Sequence, residues 1–121
     1  MAKFKIQQLT GVIPAMQTIF DANEDIDEKA MRALVDFLVE KRIGGLYLTG
    51  STGEGLLMSD EERMRVVDII CDQVRGRVPI MVHVGAISTK RSIGLSKHAY
   101  AAGADAIASI PPFYYLSLIH I

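Results

Sequence analysis

Cysteine is nearly missing from this sequence: Cys71 is the only one in 121 residues, so it contains no disulfide pair. Cys71 falls among Ile69, Ile70 and Val74 in a helical pattern, where a thiol behaves as a small buried hydrophobe rather than a nucleophile or metal ligand. Charge excess of either sign is missing too. Lys and Arg number 13 against 14 Asp and Glu, a net charge of -1, and no basic run occurs. That excludes the electrostatic footprint of a nucleic-acid or anionic-membrane binder. No apolar stretch approaches spanning length, and Met1-Ala2-Lys3-Phe4-Lys5 lacks the apolar core of a secretory signal, so a cytoplasmic location is the expectation. His83, His98 and His120 lack the spacing of a metal site. Low-complexity linkers are absent, and the chain reads as one domain.

Half of the residues are hydrophobic and 22% are charged, the balance of an α/β protein with one core. Strand-like segments begin near Gly11, Gly45, Pro79 and Ala106, at intervals of about 30 residues, the length of a βα unit. This alternation predicts a parallel sheet. Residues 12–20 are apolar with Pro14 inside, which fits a bent or bulged first strand. Asp27 is placed to cap a first helix whose apolar stripe is Met31, Leu34, Val35, Leu38 and Val39. Ser59-Asp60-Glu61-Glu62 is a capping box for a second helix, with Val66, Val67, Ile69, Ile70 and Val74 on its buried face and Gly76 as its stop. Residues 78–84 form a third strand ending at His83 and Gly85. A lone histidine there is ordinarily a hydrogen-bonded core or rim residue. Ser88 or Thr89 caps a third helix that stops at Gly103, with small Ala99, Ala101 and Ala102 suited to close packing on the sheet. Residues 106–110 form a fourth strand, ended by Pro111-Pro112.

The segment that carries chemistry is Gly44-Gly45-Leu46-Tyr47-Leu48-Thr49-Gly50-Ser51-Thr52-Gly53-Glu54. A short buried strand empties into a glycine-rich turn and then a helix, an arrangement in which free backbone N–H groups converge on an anion. Gly50 and Gly53 permit positive φ and close approach of a ligand, while the Ser51 and Thr52 hydroxyls can donate to a carboxylate or phosphate. A nucleotide is the weaker choice. A P-loop needs Lys followed by Ser or Thr after its last glycine, where this chain has Glu54-Gly55-Leu56, and the G-x-G-x-x-G spacing is absent.

Gly50-Ser51-Thr52-Gly53-Glu54, with Gly11-Val12-Ile13-Pro14-Ala15 before it and His83-Val84-Gly85 and Pro112-Phe113-Tyr114-Tyr115 after it, resembles the N-acetylneuraminate lyase and dihydrodipicolinate synthase family of pyruvate-dependent class I aldolases. The resemblance runs nearly to Tyr115. It implies an α/β fold, the N-terminal half of a (β/α)8 TIM barrel spanning residues 1–115, with chemistry at the C-terminal ends of the strands. It also implies that Ser51, Thr52 and Gly53 bind the carboxylate of pyruvate, and that Ser51 and Tyr114, the latter inserted from a neighbouring subunit, belong to a proton-relaying hydroxyl chain. Tyr115 suits core filling or a subunit contact equally well. A lysine on a sixth strand would form the Schiff base, so no cofactor and no metal ion is called for. The implied partners are pyruvate and a sugar acid, and further copies of the chain in a homotetramer.

Lys29, Lys41, Lys90 and Lys97 fall on predicted helices and Lys3 and Lys5 near the terminus, so none ends an inward-facing strand. The expectation is that the parent protein is the lyase while residues 1–121 alone are inactive. The Ser51 form of the turn, His83-Val84-Gly85 and Phe113-Tyr114-Tyr115 resemble the sialic acid lyases of the family more than the synthases. Condensation of pyruvate with aspartate semialdehyde is the alternative, and a non-catalytic carboxylate-binding half-barrel a third. The final Leu116-Ser117-Leu118-Ile119-His120-Ile121 departs from the family, in which a polar turn and a fourth helix follow the tyrosines. It is read as the in-frame translation of a transposon end used in sequencing libraries.

Overall fold

The computed structural model describes residues 4–112. A 3-10 turn at Ile6–Gln8 precedes α1 (Glu28–Glu40), β1 (Leu46–Leu48), α2 (Asp60–Val74), β2 (Ile80–His83), α3 (Thr89–Ala102) and β3 (Ala106–Ala108). The strands are parallel in the order β1-β2-β3, with Tyr47 beside Met81, Met81 beside Ala106, and His83 beside Ala108. Among the described residues no helix is long and apolar enough to cross a membrane.

Each helix starts where its cap residue dictates. The Asp27 carboxylate accepts from Ala30 N at 2.9 Å. Ser59 Oγ accepts from Glu62 N at 3.1 Å while Glu62 Oε2 accepts from Ser59 N at 2.7 Å, so the two side chains satisfy two otherwise orphaned donors. Ser88, not Thr89, caps α3, and Gly103 ends it in the left-handed conformation at φ 102°. The end of α2 differs by one residue from the expectation: Arg75 already turns left-handed at φ 51°, ahead of Gly76 at φ 71°.

The expected first strand is reduced to a single parallel bridge between Ala15 and Tyr47. Met16 N donates to Tyr47 O at 2.9 Å and Tyr47 N to Pro14 O at 3.0 Å. In a parallel ladder alternate residues donate to the same neighbour, so the next donor towards the N-terminus would be residue 14. Proline has no N–H, so the regular ladder breaks there, and the next bond, from Gly44 N to Val12 O at 2.7 Å, is one residue out of register. Trimming at the other strands is slight: 78–84 becomes Ile80–His83 and 106–110 becomes Ala106–Ala108.

The core lies between the sheet and the helices. Leu46, Leu48, Ile80 and Val82 alternate out of β1 and β2 and are buried, as are Met31 and Val35 of α1, Val66, Val67, Ile69, Ile70 and Val74 of α2, and Leu95 and Ala99 of α3. Ala101, expected against the sheet, is exposed instead, because it points away from the stripe shared by Leu95 and Ala99. Arginines join the helices on the outside: Arg32 to Glu28 and Asp72, Arg77 to Asp36, and Arg91 to Asp60. These solvated pairs add little beside the buried aliphatic surface.

Ile107 is 53% exposed although it shares a face with the buried Leu48 and Val82, its partners along the ladder. The uncovered apolar surface thus includes the helix-covered face of the sheet at β3. Two outcomes follow. Residues 1–121 expressed alone should aggregate or pair, because an open edge and uncovered apolar positions remain; a monomer with one cooperative melt in size-exclusion chromatography and thermal denaturation would contradict this. In the complete protein, Ile70→Ala should cost about 2–5 kcal/mol in denaturant titration and Arg77→Ala under about 1 kcal/mol.

Candidate functional site

The turn that follows β1 is built around an occupied interior. Thr49 is buried in a left-handed conformation at φ 54°, and its Oγ1 lies 2.8 Å from both Leu48 O and His83 O, able to donate its one hydrogen to either. Gly55 N donates to Gly50 O at 3.0 Å and Glu54 N to Ser51 O at 3.1 Å, closing the turn on itself. Thr18 Oγ1 donates to Gly53 O at 2.7 Å, tying the turn to the segment before α1.

This leaves a defined set of donors. Ser51 and Thr52 are exposed, and neither their hydroxyls nor the N–H groups of Ser51, Thr52 and Gly53 have a hydrogen-bond partner among the described residues. They stand at the C-terminal end of β1, where a parallel βα succession gathers its loops.

Two expectations about this turn are corrected. Gly50 and Gly53 are not at positive φ; Thr49 and Glu54 are, at φ 54° and 57°. The glycines are required because a Cβ on Gly50 would run into the Tyr47 ring, one on Gly55 into Thr49 O, and one on Gly53 would sit 2.9 Å from Met16 O. Close approach is therefore by the chain's own groups. Nor does the N-terminus of α2 face the turn as an anion site. Ser59 Oγ takes one of its donors, Glu62 N, and its first turn carries Asp60, Glu61 and Glu62, a negative cluster that repels an anion.

His83 behaves as a core residue of the rim. It is buried, its Nε2 accepts from Ile110 N at 3.2 Å, and its ring stands 6.4 Å from that of Tyr47. Accepting at Nε2 places the proton of the neutral ring on Nδ1, which is buried and has no hydrogen-bond partner among the described residues. Burial, assisted by the positive charge of Arg63, holds this histidine below its ordinary value. Tyr47 is pushed up by burial. Cys71, half-buried on α2, is pushed up to about 12 by burial and then by the nearby Asp68 and Asp105 carboxylates, which removes the thiolate a nucleophile needs. Tyr114, Tyr115 and the final six residues lie outside the described residues.

Sequence reasoning overlooked Arg63. It is buried, donating from Nη2 to His83 O at 2.7 Å and from Nη1 to Gly85 O at 3.0 Å. The signal was present: Arg63, Val66, Val67, Ile70 and Val74 form one helical stripe, so a charge occupied a core position.

Parallel strands joined through helices, with free donors at the C-terminal end of the first named strand, define the N-terminal half of a (β/α)8 barrel. Residues 8–118 match the model of the dihydrodipicolinate synthetase family, and the chain belongs to that family. It is 40% identical over 109 residues to an N-acetylneuraminate lyase from Citrobacter koseri, which covers 90% of this chain and 37% of that enzyme. A prophage protein of the dihydrodipicolinic acid synthase family from E. coli K12, solved in complex with pyruvate, superposes with a TM-score of 0.84 at 39% identity, covering 87% of this chain and 35% of the other. A sialic acid aldolase from Ruminococcus gnavus, solved as a catalytic lysine mutant, gives a TM-score of 0.86 at 34% identity, covering 91% and 36%. The chain thus spans little more than a third of the length of these relatives.

The histidine supplies a pH test. With its native value depressed, the unfolded chain binds the extra proton first as pH falls, so its stabilising contribution is complete above about 6.5 and declines below it. The melting temperature of the complete protein should therefore drop on acidification below about pH 6.5, and His83→Gln should flatten that part of the curve. Parallel curves for the two proteins would rule His83 out as the source.

Proposed function

We propose that the complete protein is a Schiff-base aldolase that cleaves N-acetylneuraminate to pyruvate and N-acetylmannosamine, and that this chain contributes its carboxylate-binding turn. The observation that carries the proposal is the group of unpartnered donors at Ser51, Thr52 and Gly53, in a family with a member solved bound to pyruvate. A carboxylate is an acceptor-only group, and hydroxyls with converging N–H groups match it without needing a buried positive charge.

In this reading Ser51, Thr52 and Gly53 hold the pyruvate carboxylate. A lysine beyond residue 121 forms the Schiff base with the keto carbon, making an electron sink for the adjacent carbon–carbon bond. The Ruminococcus aldolase, solved as a catalytic lysine mutant, supports this step. In the present chain Lys29, Lys90 and Lys97 lie on α1 and α3, Lys41 caps α1, and Lys5 lies before the 3-10 turn, all away from strand ends. Ser51 and Tyr114, the latter from a neighbouring subunit of a homotetramer, relay the proton of the substrate hydroxyl. Relatives named as lyases favour the sialic acid substrate; the rival is condensation of pyruvate with aspartate semialdehyde.

The complete protein treated with pyruvate and borohydride should retain a covalent adduct and should release pyruvate from N-acetylneuraminate. Ser51→Ala should lower turnover by about 10²-fold, the usual worth of a positioned proton-transfer group, while adduct formation falls much less. Equal losses in both would reduce Ser51 to a carboxylate contact. Absence of any adduct would refute the Schiff-base mechanism, and turnover of aspartate semialdehyde alone would transfer the assignment to the synthase.

A further inference from the structure

Arg63 is the one charged side chain that is buried among the described residues, at 3% exposure. Desolvating a guanidinium is costly unless its donors are used, yet it makes no ion pair there, and its Nε finds no partner. Burial accordingly pulls its proton affinity below the ordinary value, although it stays charged. An aliphatic side chain would continue the stripe of Val66, Val67, Ile70 and Val74 without that penalty. What the arginine adds is geometric: a planar fork holding two carbonyls, those of His83 and Gly85, at 2.7 and 3.0 Å.

The His83 carbonyl is a junction, and Gly85 lies packed beside the same residue. His83 O is also the acceptor within 2.8 Å of Thr49 Oγ1, and Thr49 immediately precedes the turn that presents Ser51 and Thr52. The His83 ring accepts from Ile110 N, in the segment that leads to Tyr114. Gly85 has no room for a side chain, since a Cβ there would lie 2.9 Å from His83 Nε2 and 3.1 Å from Ser109 Oγ. The base of the fork is itself fixed, because Arg63 N donates to Ser59 O at 3.0 Å inside the capped first turn of α2. One rigid helix start thus reaches through one side chain to the loop after β2, the turn after β1 and the segment after β3.

We propose that Arg63 is a positioning residue that sets the turn at 50–55 and the loop at 83–86 relative to each other and to the segment approaching Tyr114. Its kinetic consequence rests on the carboxylate-binding reading of Ser51 and Thr52; its structural consequence does not. Removing the fork frees His83 O to be held by Thr49 alone and leaves Gly85 O without this donor, so the turn and the loop loosen while the sheet and α1 keep their packing.

The test uses the complete protein with Arg63→Met and Arg63→Lys, read by site-resolved amide hydrogen exchange and by the KM for pyruvate in the condensation direction. For Arg63→Met, exchange at the bonded amides of Glu54, Gly55 and Val84 should quicken by about tenfold, the worth of one hydrogen bond to a charged group, with α1 unchanged. KM should rise by about the same factor with a smaller change in kcat. Arg63→Lys should fall between, since an ammonium cannot span both carbonyls as a fork does. If the Met variant does not fold, the Lys variant carries the same readouts. Protection lost evenly across α1 and the strands, or unchanged at Glu54, Gly55 and Val84, overturns the proposal. An unchanged KM in a protein whose wild type turns over pyruvate overturns it as well. If the wild type takes no pyruvate, the aldolase reading has failed and the exchange pattern alone decides on Arg63.

Discussion

The carbonyl oxygen of His83 carries more of this structure than its place at a strand end suggests. A carbonyl has two lone pairs, and here the buried Arg63 fork and the Thr49 hydroxyl both approach it, one from α2 and one from the turn after β1. The strand ladder fixes the height of that oxygen and the capping box fixes the height of the arginine. The turn carrying Ser51 and Thr52 inherits its position from both. Because the groups meet in a buried, low-dielectric place, their hydrogen bonds are strong and leaving any of them unmade is expensive.

Electrostatics and sterics divide the labour at this end of the sheet. The first turn of α2 carries Asp60, Glu61 and Glu62, whose charge opposes an anion at the helix terminus that often receives one. The adjoining turn has spent its glycines on closeness to Tyr47, Met16 and Thr49, which folds it tightly enough that three successive N–H groups have no partner among the described residues. Donors are thereby left over in the turn, whereas the first turn of α2 presents carboxylates.

The family relationship explains why a well-packed set of helices lies on a sheet with an uncovered edge. Relatives are nearly three times as long as the matched segment, and in a closed barrel each strand is flanked by two others and covered by helices. Ile107 is exposed on the face where Leu48 and Val82 are buried, the position at which a further helix would lie.

Local signals determined most of the architecture. Asp27, the Ser59–Glu62 box, Ser88 and Gly103 act within one helical turn of their own positions, so helix starts and stops were legible from spacing alone, as were the apolar stripes and the strand–turn segment at 46–54. Pro14 was legible as a disturbance; that it reduces a strand to one bridge depended on which neighbour its missing N–H would have served. The roles of Gly50, Gly53 and Gly55 were not legible, because a sequence records that a side chain is absent and not which atom would occupy its space. Arg63 was visible as a charge on an apolar stripe, but its acceptors lie 20 and 22 residues away on another strand's end. Contacts within a helical turn follow from chain geometry, whereas contacts between loops exist only once the parallel register has brought the strand ends side by side, and that register was decided by the packing of the whole sheet.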